Sequence, residues 1–157
     1  MSPRAACRLE TLGFADVYDY TAGKAEWLAY ALLSEGDRAD RPRAVHFARD
    51  DVATCRLGEA IGVVRERVAA SPYGFGLVVS ESRVLLGRLR KSVLDGNPAA
   101  VAGEVMEAGP STIRPDADPT ELAVRLTQRE LRTAIVTTPD GRLVGVVRTA
   151  DLPVPAG

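Results

Sequence analysis

The single histidine of this 157-residue chain, His46, and its two cysteines, Cys7 and Cys55, are the side chains best suited to nucleophilic or metal chemistry. They are not spaced for it. A zinc site needs about four His, Cys or acidic ligands, yet His46 stands in an Arg- and Asp-rich stretch from Glu35 to Asp51, and the cysteines lie 48 positions apart. A Ser-His-Asp arrangement would have to use His46 or dispense with histidine. Ala22-Gly23-Lys24-Ala25 lacks the upstream glycine and the following hydroxyl with which a phosphate-binding loop holds its ligand. No catalytic residue and no metal ligand is assigned. Two such cysteines fit reduced thiols better than a disulfide framework, and Cys55 reads as a small buried hydrophobe beside a strand.

The remaining composition narrows the classes further. Lys+Arg 20 against Asp+Glu 21 leaves a net charge of −1, with no basic field to draw nucleic acid. An apolar fraction of 46% is too high for general disorder. The longest apolar runs, such as Leu77-Val78-Val79, fall far short of the ~20 residues of a membrane span. Met1-Ser2-Pro3-Arg4 does not begin a signal peptide, so a cytoplasmic location is expected. The length predicts one domain with an appendage.

The informative feature is a repeat. Shifted by 58 residues, the chain aligns with itself without a gap. Thr54-Cys55-Arg56-Leu57 falls on Thr112-Ile113-Arg114-Pro115, Val64 and Val68 on Leu122 and Leu126, and Tyr73 on Leu131. Leu77-Val78 falls on Ile135-Val136, Leu85-Leu86-Gly87 on Leu143-Val144-Gly145, Arg90 on Arg148, and Leu94 on Leu152. Each copy predicts a short strand (52–55; 111–114), then an amphipathic helix with Ile61, Val64 and Val68, or Leu122 and Leu126, on one face. Asp118-Pro119 suits the N-cap and first position of the second helix. Two further strands follow (77–80 and 84–89; 134–138 and 143–148), the second pair joined by a Pro139-Asp140-Gly141 turn. Residues 92–106 read as helix broken near Gly96-Asn97-Pro98. The expected fold is α+β: two β-α-β-β repeats, 51–106 and 107–152, covering each other about a pseudo-two-fold.

The second copy carries Thr112-Ile113-Arg114-Pro115-Asp116-Ala117, Ala134-Ile135-Val136, Gly141-Arg142-Leu143-Val144-Gly145-Val146-Val147 and Asp151-Leu152. It resembles the CBS domain (named after cystathionine β-synthase), and the two copies resemble the usual tandem pair. The resemblance implies a regulatory module that binds adenosine-containing ligands between its repeats, forms homodimers and acts on a partner protein that the sequence does not name. AMP, ADP, ATP or S-adenosylmethionine is the implied ligand. The carboxylate of Asp151 would accept both ribose hydroxyls, a charge-assisted match to a diol. Thr112, Ile113, Arg114 and Pro115, with Ile135 and Val136, would supply backbone and apolar walls. Arg148 stands where that family usually has a hydroxyl, with Thr149 next along, and a guanidinium there matches a phosphate. In the first copy Thr54, Cys55, Val78 and Arg90 would form a weaker cleft, because Val93 occupies the acidic position. An alternative stays open: Asp151 caps the closing turn, the arginines are solvated, and the pair is a dimerising scaffold without a small ligand.

Residues 1–36 read as helix, strand (Val17-Tyr18-Asp19-Tyr20) and helix, followed by a charged, solvated linker over 37–50. Ala5, Leu9 and Leu12 share one face of the first helix, and Trp27, Leu28, Ala31 and Leu32 one face of the second. The segment resembles the C-terminal end of a rhodanese (sulfurtransferase) domain. The catalytic cysteine of that family would precede Met1, which leaves an upstream start open. Cys7 does not correspond to it, so no sulfurtransferase activity is expected. A piece this small buries too little to stand alone, and Trp27 and Tyr18 are the expected anchors onto the repeats or a second chain.

Overall fold

The computed structural model describes residues 3–18, 23–30, 32–36 and 39–153. Helices α1 (Pro3–Thr11) and α2 (Gly23–Ala29) lead to a 3-10 turn, Ala44–Phe47. The first repeat runs β1 (Thr54–Cys55), α3 (Ile61–Ala69), β2 (Gly76–Val79) and β3 (Leu85–Leu89), then the one-turn helices α4 (Lys91–Leu94) and α5 (Ala102–Val105). After β4 (Glu107–Ala108) the second runs β5 (Thr112–Ile113), α6 (Pro119–Gln128), β6 (Thr133–Thr137) and β7 (Leu143–Arg148), ending in a 3-10 turn, Thr149–Asp151. The α+β architecture and the repeat agree with the sequence expectation to within a residue or two at most strand ends.

The local reasons are visible. Asp118 caps α6, its Oδ1 accepting from the N–H groups of Thr120 (2.8 Å) and Glu121 (3.1 Å), and Pro119 starts the helix where no N–H is needed. Ile61, Val64 and Val68 of α3, and Leu122 and Leu126 of α6, are buried at helical spacing. The strands are buried on both faces, so alternate residues serve different cores. Val78 and Val136 face the helices of their own repeats, whereas Leu77, Val79 and Ile135 meet Val52, Leu143 and Val146 in a shared layer between the sheets. Each fully buried side chain of this kind contributes about 1.5–3 kcal/mol.

The copies superpose in register as well as in sequence. Thr54 pairs in parallel with Leu77 and Thr112 with Ile135, and the bulges after Val78 and Val136 coincide. The hairpin tips lock reciprocally: Leu85 N–H donates to the Gly141 carbonyl and Leu143 N–H to the Arg83 carbonyl, both at 2.9 Å.

The two repeats also exchange lead-in segments, which no local pattern in the sequence marks. β4, which leads into the second repeat, pairs with β3 of the first through Arg88↔Glu107. Arg49, which leads into the first, pairs with Val146 of the second. The stretch before each does the same. Ala44 N–H donates to the Ala117 carbonyl and Ala102 N–H to the Glu59 carbonyl, both 2.9 Å, and both alanines are 0% exposed. Residues 44–49, read as part of a solvated linker, are thus built into the second repeat, because an alanine and a phenylalanine amid the charges complete its core. Gly87 and Gly145 permit the close approach. A Cβ on Gly145 would lie 2.5 Å from the Arg49 carbonyl oxygen, and one on Gly87 would collide with the Met106 side chain and reach the Glu107 carbonyl oxygen at 3.0 Å.

The N-terminal segment departs from expectation. Val17 and Tyr18 join no strand, and Asp19 and Tyr20 lie outside the described residues, as does Ala31. Within the chain Leu28 and Ala29 are the buried residues of this segment, while Tyr18 is 82% and Trp27 40% exposed. Trp27 turns back on its own chain, its Nε1 donating to the Leu33 carbonyl at 2.8 Å. Leu12 and Leu32 also stay exposed. His46 serves local structure, its Nδ1 accepting from Arg43 N–H at 3.1 Å.

Candidate functional site

β7 carries Val146 and Val147 into the core and ends at Arg148, where the chain turns tightly. Pairing of Arg148 with Thr133 sets its guanidinium at the edge of the sheet. Thr149 fixes the turn from both ends: its N–H donates to the Arg132 carbonyl at 2.9 Å and its hydroxyl to the Leu131 carbonyl at 2.8 Å. The turn returns Asp151 beneath Arg148. There the guanidinium grips the carboxylate as a fork, Nε to Oδ2 at 2.9 Å and Nη2 to Oδ1 at 3.2 Å. Arg49, brought in by the exchanged lead-in, adds Nε to Oδ2 at 3.0 Å. The Arg148 bond, and then Arg49, hold the Asp151 carboxyl below the ordinary carboxylate range, and Asp151 in turn raises the Arg148 guanidinium.

The side chains facing this cluster come from the other repeat. The Tyr73 hydroxyl donates to Asp51 Oδ1 at 2.6 Å, and both sense the Arg148 charge. Burial first, and then that bond, push the Tyr73 phenol up to about 12. Between Pro72-Tyr73 of the first repeat and 130–133 and 148–150 of the second lies a cleft of about 520 Å³. Tyr73, Pro72 and Leu131 give it apolar walls, and Arg132 and Arg148 give it charge. A mostly apolar cleft of this size with a few convergent polar groups is the usual form of a small-molecule site.

Of the residues singled out from sequence, the fold brings Arg148, Thr149 and Asp151 together. Thr112 and Ile113 lie on β5, separated from β7 by the width of β6. Arg114 is exposed, while Pro115 is buried and its carbonyl accepts from Val45 N–H at 3.0 Å. Ile135 and Val136 are core residues. In the first repeat the Thr54 carbonyl accepts from Arg67 Nη1 at 2.7 Å, and Cys55 and Val78 are buried in the core, burial pushing the Cys55 thiol up. Arg90 forks onto Glu107, Nε to Oε2 at 2.7 Å and Nη2 to Oε1 at 3.0 Å, joined by Arg88. These bonds, Arg90 first, lower the Glu107 carboxyl to about 2. Glu107 occupies the place of Arg49, and Val93 that of Asp151, so the two copies hold their carboxylate on opposite sides of the same arginine. Arg49, Pro72, Tyr73 and Arg132 were missed as site residues. The self-alignment held one signal, since Tyr73 falls on Leu131 and both line the cleft.

Among the described residues, no group of three His, Cys, Asp or Glu side chains could hold a metal ion, and no helix is long and apolar enough to cross a membrane.

Residues 102–152 match the model of the CBS domain family. The fold is that of a CBS-domain pair. The CBS domains of a transcriptional regulator from Streptococcus pneumoniae align with a TM-score of 0.63 at 16% identity, over 71% of this chain and 97% of that one. A CBS domain pair in complex with 5′-methylthioadenosine and S-adenosyl-L-methionine aligns at 0.58 and 15%, over 71% and 92%. The cytosolic domain of the Mg2+ channel MgtE in complex with ATP aligns at 0.59 and 23%, over 67% of this chain and 45% of that one, so this chain spans less than half its length. At these identities the likeness is one of fold. No curated protein sequence matches the chain. The CBS match laid back by 58 residues spans 44–94, beginning and ending on the buried Ala44 and Leu94. The likeness of residues 1–36 to a sulfurtransferase tail finds no support in these comparisons.

Proposed function

We propose that the chain is a non-catalytic regulatory module of the tandem CBS type that binds an adenine nucleotide between its repeats. The observation that carries this reading is the cleft of about 520 Å³ with Tyr73 on one wall and Arg148 on the other. The fold supports it, since two CBS structures of similar fold are in complex with ATP or with S-adenosyl-L-methionine and 5′-methylthioadenosine. Ligand acts here by differential affinity for two packings of the repeats, or of two chains in a homodimer. The regulated protein is then one that contacts the moving parts.

Thermal unfolding of the purified chain with AMP, ADP, ATP and S-adenosylmethionine tests this. Ligand at ~100 times its dissociation constant adds about 2.7 kcal/mol, a shift of several degrees in a domain of this size. No shift with any of the four sinks the reading. It would leave a second, a dimerising scaffold, favoured by the occupation of Asp151 by two arginines and by Val93 in the equivalent place. Light scattering of the eluted chain then decides between monomer and dimer.

A further inference from the structure

The arrangement of Arg148 and Asp151 divides their roles differently from their positions in the chain. Both Asp151 oxygens accept from guanidinium groups, Oδ2 from Arg49 and Arg148, Oδ1 from Arg148. A ribose diol would have to displace these forked bonds, charged on both sides, for bonds in which only the acceptor is charged. Nor does Asp151 line the cleft; Arg148 and Thr149 do. The fork uses Nε and Nη2 of Arg148 and leaves Nη1 for a further acceptor. On the same wall stands Arg132, whose side chain has no ion-pair partner among the described residues. One carboxylate, Glu130, shares the lining with these two cations.

We infer that Arg148, with Arg132, is the ligand-reading group of the cleft and Asp151 its positioning residue, so that the cleft takes a phosphate-bearing nucleoside in preference to an uncharged or cationic one. The inference rests on the nucleotide reading above and narrows its ligand class. Guanidinium offers phosphate paired donors in a fixed plane, and a guanidinium already held by a carboxylate loses less freedom on binding. Arg49 contributes at second hand, since it fixes the carboxylate that fixes Arg148.

The test is calorimetric titration of the full chain, Arg148→Gln, Arg148→Lys and Asp151→Asn with AMP, adenosine and S-adenosylmethionine, each variant first checked for a native melting transition. AMP is expected to bind the unaltered chain at least about tenfold more tightly than adenosine or S-adenosylmethionine, as a hydrogen bond to a charged group implies. Arg148→Gln brings AMP to the level of adenosine and leaves adenosine unchanged. Arg148→Lys keeps the charge but loses the fork and falls between. Asp151→Asn weakens AMP and leaves adenosine unchanged, a split that a purely structural role would not give. Adenosine binding as tightly as AMP, or an AMP preference surviving Arg148→Gln, overturns the inference while nucleotide binding stands. Loss of both ligands in Asp151→Asn restores Asp151 as the diol acceptor. If none of the three compounds binds and ADP and ATP give no thermal shift either, the nucleotide reading falls, and the inference with it.

Discussion

Arg83 and Gly141 hold the same backbone conformation in the two copies, with φ of +64° and +85° at the same point of the β2–β3 and β6–β7 turns. The carbonyl of each accepts from the other copy's hairpin, Arg83 from Leu143 N–H and Gly141 from Leu85 N–H. Only the glycine is at ease there, since a side chain in the left-handed region costs about 1 kcal/mol. Arg83→Gly is therefore expected to stabilise the fold by about 0.5–1 kcal/mol, raising the melting temperature by about 1–4 °C. Gly141→Ala should lower stability by a similar amount. Urea unfolding of both variants checks the pair, and a destabilised Arg83→Gly would show that the arginine side chain matters more than its backbone.

The exchanged lead-ins make a second prediction. Gly145→Ala pushes a Cβ against the Arg49 backbone, which cannot move without opening its bonds to Val146. Overpacking of this kind costs about 1–3 kcal/mol or more. Gly87→Ala meets mainly the Met106 side chain, which can swing away, and should cost less. Amide exchange at Arg49 and Val146 should accelerate in Gly145→Ala and not in Gly87→Ala.

Acid should act through Glu107. Its folded-state carboxyl, lowered to about 2 from 4.5, is stabilising while ionised. That contribution is complete above pH 4.5 and is lost as the pH falls toward 2. Both partners lie at the surface, so the amplitude is modest and shrinks with salt. Glu107→Gln should flatten the stability profile between those limits and leave the region above them parallel to that of the unaltered chain. An unchanged acid limb would place the proton uptake elsewhere.

The two thiols should separate cleanly. Cys7 is exposed on α1, whereas Cys55 is 2% exposed and its thiol is pushed up by burial. A thiol-reactive dye is expected to label one cysteine per native chain and two in denaturant. Fast labelling of Cys55 in the native chain would mean that β1 opens far more readily than its core position implies.

The repeat was legible because Thr, Gly and Arg keep one spacing along with the apolar positions. The cap at Asp118 and the turn at Gly141 followed from rules that act within a few residues. Ala44 was hidden by its neighbours: Arg41, Arg43, His46 and Arg49 give the stretch a solvated composition, although the same shift sets Ala44 on Ala102. The Arg148–Asp151 pair lies three residues apart, but Arg49 joins it from a hundred residues away. Tyr73 reaches the cluster only because the repeats face each other. The bond from Trp27 Nε1 to the Leu33 carbonyl is one that apolar periodicity does not register.

The exchange of lead-ins makes each half of the chain depend on the other. A lone copy, 44–94 or 102–152, has a lead-in with no sheet to join and a sheet edge with nothing to join it. A second copy supplies both at once, reciprocally, as the self-complementary face of a two-fold dimer does. Joining two copies end to end turns that association from one that depends on concentration into one fixed by the tether. The tandem chain is in this sense a covalent dimer whose halves need not be alike. One now carries Arg49 against Asp151, and the other Glu107 against Arg90.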